Sequence, residues 1–364
     1  MPTPTRKLLA LDGGGIRGMI AVEVLAEIES LLQKRLGRDD SFVLADYFDY
    51  IAGTSTGAII ATCLSLGMRV DDIRKFYIES GPAMFNRAGL WRKLHFKFEN
   101  EPLVEKLKEV LGADTKLGSS KLRTLLMMVL RNATTDSPWP ISNNPAAMYC
   151  AADREDCNLD LPLWQLVRAS TAAPTYFPPE VIAIGPNRFI FVDGGMTMYN
   201  NPAFQLFLMA TVEPYNLCWE TGRDKMLVVS LGTGTSPDAN KDLQPGQMNL
   251  LYNASSIPSA LMYAALNEQD FLCRVFGDTL AGDELDREIG TMIGKKGPTA
   301  EKLFTYVRYN AELTRSGLDA LGLPAIQPED VQKLDSIEGI PELQQVGRAV
   351  GRRKVKPEHF DRFV

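Results

Sequence analysis

Histidine is almost missing from this sequence: His95 and His359 are the only two in 364 residues. A hydrolytic site built on an imidazole must recruit one of them. His359 stands just after a basic run near the end of the chain, and His95 lies among aromatic and basic residues. Neither is flanked by the small residues that shape a tight turn, so a Ser-His-Asp triad is constrained, although still open. Cysteine is sparse too. Cys63, Cys150, Cys157, Cys218 and Cys273 are odd in number and form no Cys-x-x-Cys pair. That excludes a disulfide framework or a thiolate metal site as the organising feature and leaves free thiols in a reducing compartment. There is no basic excess: 39 Lys and Arg face 45 Asp and Glu, for a net charge of -6. A general electrostatic grip on nucleic acid is therefore not expected. No Gly-x-x-x-x-Gly-Lys-Ser/Thr loop occurs, and Gly294-Lys295-Lys296 lacks its features. Residues 50–68 are uncharged, but Gly53, Gly57, Gly67, Thr54, Ser55, Thr56, Thr62 and Ser65 make them too polar and glycine-broken to span a bilayer. The first twelve residues have neither a long apolar core nor a small-residue cleavage site. A soluble, cytoplasmic protein with only peripheral membrane contact is the expectation.

What is present suits a sizeable core: 45% of residues are hydrophobic and 23% charged. Short apolar runs at residues 7–11, 47–52, 125–130, 189–192 and 226–231 read as buried strands. Residues 19–36, 56–66, 70–80 and 102–111 read as helices. Alternating strands and helices predict an α/β fold with a mainly parallel central sheet. The pattern shifts after Pro237. Residues 303–313 and 328–334 are read as helical, so residues 5–236 are expected to form the catalytic core and residues 237–364 a helical subdomain packed on it.

Three motifs carry the chemistry. Gly53-Thr54-Ser55-Thr56-Gly57 lies between a predicted strand and a predicted helix. A sharp strand-to-helix turn strains its central residue and leaves a serine oxygen exposed above the sheet edge, and Gly53 and Gly57 make that turn sterically possible. The helix dipole favours a developing alkoxide there. The bland reading is a glycine-rich turn. Gly13-Gly14-Gly15-Ile16-Arg17-Gly18 also lies between strand and helix, where backbone amides can converge on an anion. In an acyl hydrolase that anion is the tetrahedral oxyanion. A dinucleotide loop looks the same, but no acidic residue ends a second strand about 20 residues on; Asp39 and Asp40 fall in a polar loop. Asp193-Gly194-Gly195 directly follows a strand, at the edge where open sheets place their sites. With imidazole so scarce, its carboxylate is the candidate base for Ser55. The competing reading is a nucleotide-binding regulatory module that uses residues 13–18 and hydrolyses nothing.

In this order the motifs resemble those of the patatin-like phospholipases. The likeness rests on Gly13, Gly14, Gly15, Arg17 and Gly18; Gly53, Ser55 and Gly57; and Asp193, Gly194 and Gly195. It extends to Ala169-Ser170-Thr171-Ala172-Ala173-Pro174, to Asn200-Asn201-Pro202 and to Ser230-Leu231-Gly232-Thr233-Gly234. The resemblance implies a three-layer α/β/α fold, no metal and no cofactor. It also implies hydrolysis of fatty acyl esters of membrane phospholipids by Ser55 and Asp193, with the glycine loop as oxyanion hole. A bacterial subgroup it resembles implies an activating cyclic nucleotide as a partner and a role in anti-phage defence. Homo-oligomer formation is a further partner expectation.

Weaker signals remain. Residues 85–98 mix Phe85, Trp91, Phe96 and Phe98 with Arg87, Arg92, Lys93 and Lys97, which reads either as a packed strand or as a lipid-facing lid. Arg352, Arg353, Lys354 and Lys356 form a basic stretch, read as a solvated face or as a contact for anionic groups. Pro174, Pro178 and Pro179 bracket Tyr176 and Phe177 and are expected to stiffen a loop near the site.

Overall fold

The computed structural model describes residues 4–84, 101–174, 176–237, 244 and 250–364. The aromatic and basic run at residues 85–98, with His95, lies outside them. The first element is strand β1 (Arg6–Leu11), whose Leu9 and Leu11 enter one core and whose Leu8 and Ala10 enter another. All four are fully buried. A strand with no polar side needs helices on both of its faces, which is why these apolar runs do not alternate with polar residues.

A 3-10 turn at Gly15–Arg17 leads into helix α1 (Gly18–Arg35). Strand β2 (Tyr50–Thr54) and helix α2 (Thr56–Ser65) follow, then α3 (Val70–Met84) and α4 (Glu101–Leu111). Strands β3 (Leu125–Asn132) and β4 (Ser137–Ser142) form a hairpin. Helix α5 (Leu163–Ser170) precedes a second hairpin, β5 (Glu180–Ile184) with β6 (Asn187–Asp193). Helix α6 (Ala203–Thr211), strand β7 (Met226–Leu231), helix α7 (Leu250–Phe276) and strands β8 (Gly277–Ala281) and β9 (Phe304–Tyr309) come next. Helices α8 (Arg315–Ala320), α9 (Pro328–Gln332) and α10 (Ile340–Lys354) follow.

The strands form one sheet. Neighbours β3, β2, β1, β7, β9 and β8 run parallel in that order, and β4, β5 and β6 join antiparallel. Buried faces of α1, α2, α5 and α10 cover one side, and α6 with Cys273 of α7 covers the other. This is the expected three-layer architecture. Helix α10 is held to α1 by the buried carboxylate of Glu23, which accepts hydrogen bonds from Arg74, Arg348 and Gln344.

The expected helix over residues 303–313 is instead strand β9. It pairs in parallel with β7, from Leu227 opposite Thr305 to Leu231 opposite Tyr309, and is buried throughout. Phe304, Thr305, Tyr306, Val307 and Tyr309 are aromatic or β-branched and pack well on a pleated surface, which decides between strand and helix for an apolar run of this length. The C-terminal segment therefore supplies two strands of the sheet as well as helices.

One register matters most for function. Residues 127–132 of β3 pair with β4 along one edge. On the opposite edge, β2 pairs with β3 up to Thr54 opposite Val129, and β6 takes over with Asp193 opposite Leu130. Strand β2 runs parallel to β3 and β6 antiparallel, so their C-terminal ends meet head to head.

Candidate active site

Ser55 follows the last residue of β2 and precedes the first of α2. Its backbone has φ 55° and ψ -122°, a conformation that costs a residue with a Cβ on the order of 1–3 kcal/mol. The surroundings enforce it. The Ser55 amide donates to Ser170 Oγ at 3.0 Å, and that hydroxyl donates to the Val129 carbonyl at 2.7 Å. The turn is also too tight for side chains at its flanks: a Cβ on Gly53 would stand 2.0 Å from the Gly57 carbonyl oxygen.

Asp193 ends β6, head to head with this turn. Ser55 Oγ donates to Asp193 Oδ2 at 2.6 Å. The other carboxylate oxygen, Oδ1, accepts the Gly195 amide at 2.6 Å, and the Asp193 amide donates to the Ala172 carbonyl at 3.0 Å. The carboxylate is thus fixed on both sides. Burial pushes its pKa up to about 6; the Ser55 hydroxyl, the Gly195 amide and the charge of Arg168 pull in the opposite direction. Arg168 is itself buried and donates to the Pro178 carbonyl at 2.8 Å, and Phe177 lies beneath its guanidinium. The proline-bracketed loop thereby packs beside the site. Gly194 lets the chain leave β6 closely past β3, since a Cβ there would stand 2.1 Å from the Val129 carbonyl oxygen.

No imidazole stands between Ser55 and Asp193, because they bond directly. His359 is buried elsewhere: its Nδ1 is paired with the Tyr309 hydroxyl at 2.7 Å, and the Lys356 amide points to the same atom at 3.3 Å.

The glycine loop closes the third side. Gly13 approaches so near that a Cβ would stand 3.2 Å from Ser55 Cβ and 2.3 Å from Asn200 Oδ1. Its amide is engaged by Asn200, through Oδ1 at 3.1 Å and the backbone carbonyl at 3.2 Å. Gly13 therefore positions the loop and offers no free donor. The amides of Gly14 and Gly15 donate to no protein group among the described residues. Thr233 Oγ1 donates to the Gly13 carbonyl at 2.9 Å. Arg17 turns toward the C-terminal segment, where its guanidinium reaches the Gln332 carbonyl at 3.4 Å, and Ile16 donates to the Leu334 carbonyl at 2.9 Å. Burial lowers the Arg17 pKa to about 10. Gly18 packs against Thr56, whose Oγ1 would stand 2.5 Å from a Cβ at that position.

Behind the loop lies a buried ionic network. Asp12, just before Gly13, accepts from Arg308 at 2.8 Å and 2.5 Å. Arg308 also donates to Ser230 Oγ at 2.7 Å. Asp270 accepts from both Arg274 and Tyr306, with Arg308 3.9 Å away. This network on β9 and α7 was not foreseen from the sequence, and neither were the roles of Ser170 and Asn200, although both belong to stretches the motifs had drawn attention to. Among the described residues no cluster of His, Cys, Asp or Glu is arranged to hold a metal, and no helix is long and apolar enough to cross a membrane.

A strained serine bonded to a buried carboxylate, with the glycine loop packed against it, is an arrangement able to carry out nucleophilic acyl transfer. A family model described as patatin-like phospholipase matches residues 9–207. Patatin-17 of Solanum cardiophyllum is 31% identical over 252 residues, which cover 64% of this chain and 62% of that protein. Patatin-like protein 1 of Arabidopsis thaliana is 28% identical over 333 residues, 78% of this chain and 77% of that protein. The solved structure of VipD from Legionella pneumophila aligns over 93% of this chain and 66% of that one, with a TM-score of 0.37 and 16% identity.

Proposed function

The chain belongs to the patatin-like phospholipase family, whose model matches more than half of it, and from that premise we propose that it hydrolyses fatty acyl esters of phospholipids with Ser55 as nucleophile and Asp193 as base. The observation that carries the reading is the 2.6 Å hydrogen bond from Ser55 Oγ to Asp193 Oδ2. Asp193 accepts the hydroxyl proton as Ser55 Oγ attacks the ester carbonyl. The tetrahedral oxyanion is held by the Gly14 and Gly15 amides, each such donor contributing on the order of 3 kcal/mol to the transition state. As the C–O bond breaks, protonated Asp193 gives its proton to the departing alcohol. Asp193 then deprotonates water, which attacks the acyl-serine. Collapse of the second tetrahedral intermediate releases the fatty acid and returns the proton to Ser55 Oγ.

Ser55→Ala and Asp193→Asn are each expected to lower ester hydrolysis by at least about a thousandfold while leaving the circular dichroism spectrum unchanged. Full activity in Asp193→Asn removes the two-residue mechanism. A nucleotide-binding module instead predicts no reaction of Ser55 with a fluorophosphonate. Activation by a cyclic nucleotide, and with it a defence role, is a separate proposal that rests on the sequence resemblance. Hydrolysis rates with and without a panel of cyclic di- and trinucleotides test it, and equal rates count against it.

A further inference from the structure

The backbone from Asp193 to Asn200 joins the proposed base to the residue that anchors the glycine loop, so both of its ends are fixed in the site. Its middle is braced as well: Thr197 bonds to the Gly194 carbonyl through its amide at 3.0 Å and its hydroxyl at 2.7 Å, and the Tyr199 amide donates to Thr197 Oγ1 at 3.1 Å. From this rigid span two large apolar side chains face solvent, Met196 at 39% exposure and Met198 at 45%. Helix α7 runs alongside. A Cβ at Gly195 would stand 3.6 Å from Met262 Cε, and the neighbours of Met262 on the helix, Leu261 and Tyr263, are 65% and 39% exposed.

The sequence around both elements is uncharged. No Asp, Glu, Lys or Arg occurs from Gly194 to Val212, and none from Leu243 to Asn267, in a chain that is 23% charged. Exposed apolar side chains on elements that pack beside a site mark an interaction surface. Methionine adapts its shape to an irregular apolar partner. These two stretches bring no fixed charge of their own with which to select an acidic or basic partner, and a neutral apolar phase matches them.

We propose that Met196, Met198, Leu261 and Tyr263 form the surface by which this protein docks on a zwitterionic lipid layer, placing the Ser55–Asp193 pair at the boundary of headgroup and acyl chain. The proposal rests on the acyl-hydrolase reading for its purpose, but the binding it asserts is separable from catalysis. Docking by apolar insertion gives an affinity insensitive to salt and to the fraction of anionic lipid, whereas docking through basic residues depends steeply on both.

The test uses the full chain, phosphatidylcholine vesicles and a water-soluble short-chain ester. The variants Met198→Asp and Leu261→Asp are compared with the parent in vesicle sedimentation, vesicle hydrolysis and hydrolysis of the soluble ester. Each variant is expected to lose about tenfold in vesicle binding and vesicle hydrolysis, since an aspartate cannot enter the apolar layer, and to keep soluble-ester hydrolysis within about twofold. Vesicle binding by the parent is expected to hold at high salt. The proposal is overturned if the parent does not bind phosphatidylcholine vesicles, if binding needs anionic lipid and falls with salt, or if the variants bind as the parent does. It is also overturned if sedimentation shows a dimer that these substitutions dissolve, because a second copy then covers the patch. Failure of the parent to hydrolyse either ester sinks the hydrolase reading alone and leaves the binding result to decide this one.

Discussion

The amide of Ser55 donates to Ser170 Oγ at 3.0 Å, and Ser170 in turn donates to the Val129 carbonyl at 2.7 Å. The strained turn is thereby tied through one hydroxyl to β3, the strand along which β2 and β6 meet. Ser170→Ala removes the acceptor from a strained amide and is expected to lower kcat about tenfold, as the loss of one hydrogen bond would, while KM stays within about twofold. Ser170→Thr, which keeps the hydroxyl, is expected to recover part of the loss. An unchanged kcat in Ser170→Ala would show that the turn holds its shape without this bond.

Gly13 admits no side chain. Its Cβ would meet Asn200 Oδ1 at 2.3 Å and Ser55 Cβ at 3.2 Å. Gly13→Ala is expected to displace the glycine loop from Asn200 and lower kcat at least about a hundredfold, the scale of losing an oxyanion donor. The core strands lie outside this contact, so the thermal midpoint should fall far less than the activity. Near-normal activity would mean that the loop is not part of the site.

Arg308 and Asp12 form a bidentate ion pair with both side chains almost fully buried. Arg308→Met strands a buried carboxylate next to the glycine loop, and breaking such a pair costs about 3–5 kcal/mol. Urea unfolding measures it. The double variant Asp12→Asn/Arg308→Met removes both charges and is expected to be more stable than Arg308→Met alone. Additive losses would show that the two residues are not coupled.

The Asp193 carboxyl, raised by burial to about 6, must be ionised to accept a proton. The value of kcat/KM is therefore expected to rise through an apparent pKa of about 6 and to fall away in acid. The linkage to stability has the opposite sense. A carboxyl whose pKa is higher folded than its ordinary 3.8 favours the fold below about pH 4 and loses that contribution as pH rises through about 6. At neutral pH the charge costs up to about 3 kcal/mol. Asp193→Asn is thus expected to be inactive yet to melt at or above the parent temperature at neutral pH. A marked drop in its melting temperature would show that the charge is compensated.

Much of this site was legible before the structure. The Gly-x-Ser-x-Gly turn announces itself by small residues between a strand and a helix, and the shortage of histidine directs attention to Asp193. What could not be read was how residues 138 positions apart come to touch. That follows from β2 and β6 sharing one edge of β3 in opposite directions, a register set by long-range pairing with no local signature. The role of Asn200 was hidden for the same reason, since its side chain acts across 187 positions. Strand β9 was misread because a strand buried on both faces has no alternation to distinguish it from a buried helix. Its aromatic and β-branched residues were the one available sign.

Fluorophosphonate labelling of Ser55 as a function of pH, in the parent and in Asp193→Asn, tests the central claim most directly. The parent is expected to label at a rate that rises through a pKa of about 6, and Asp193→Asn to label at least about a hundredfold more slowly at every pH. Labelling that ignores pH across that range, or that persists at the parental rate in Asp193→Asn, would contradict it.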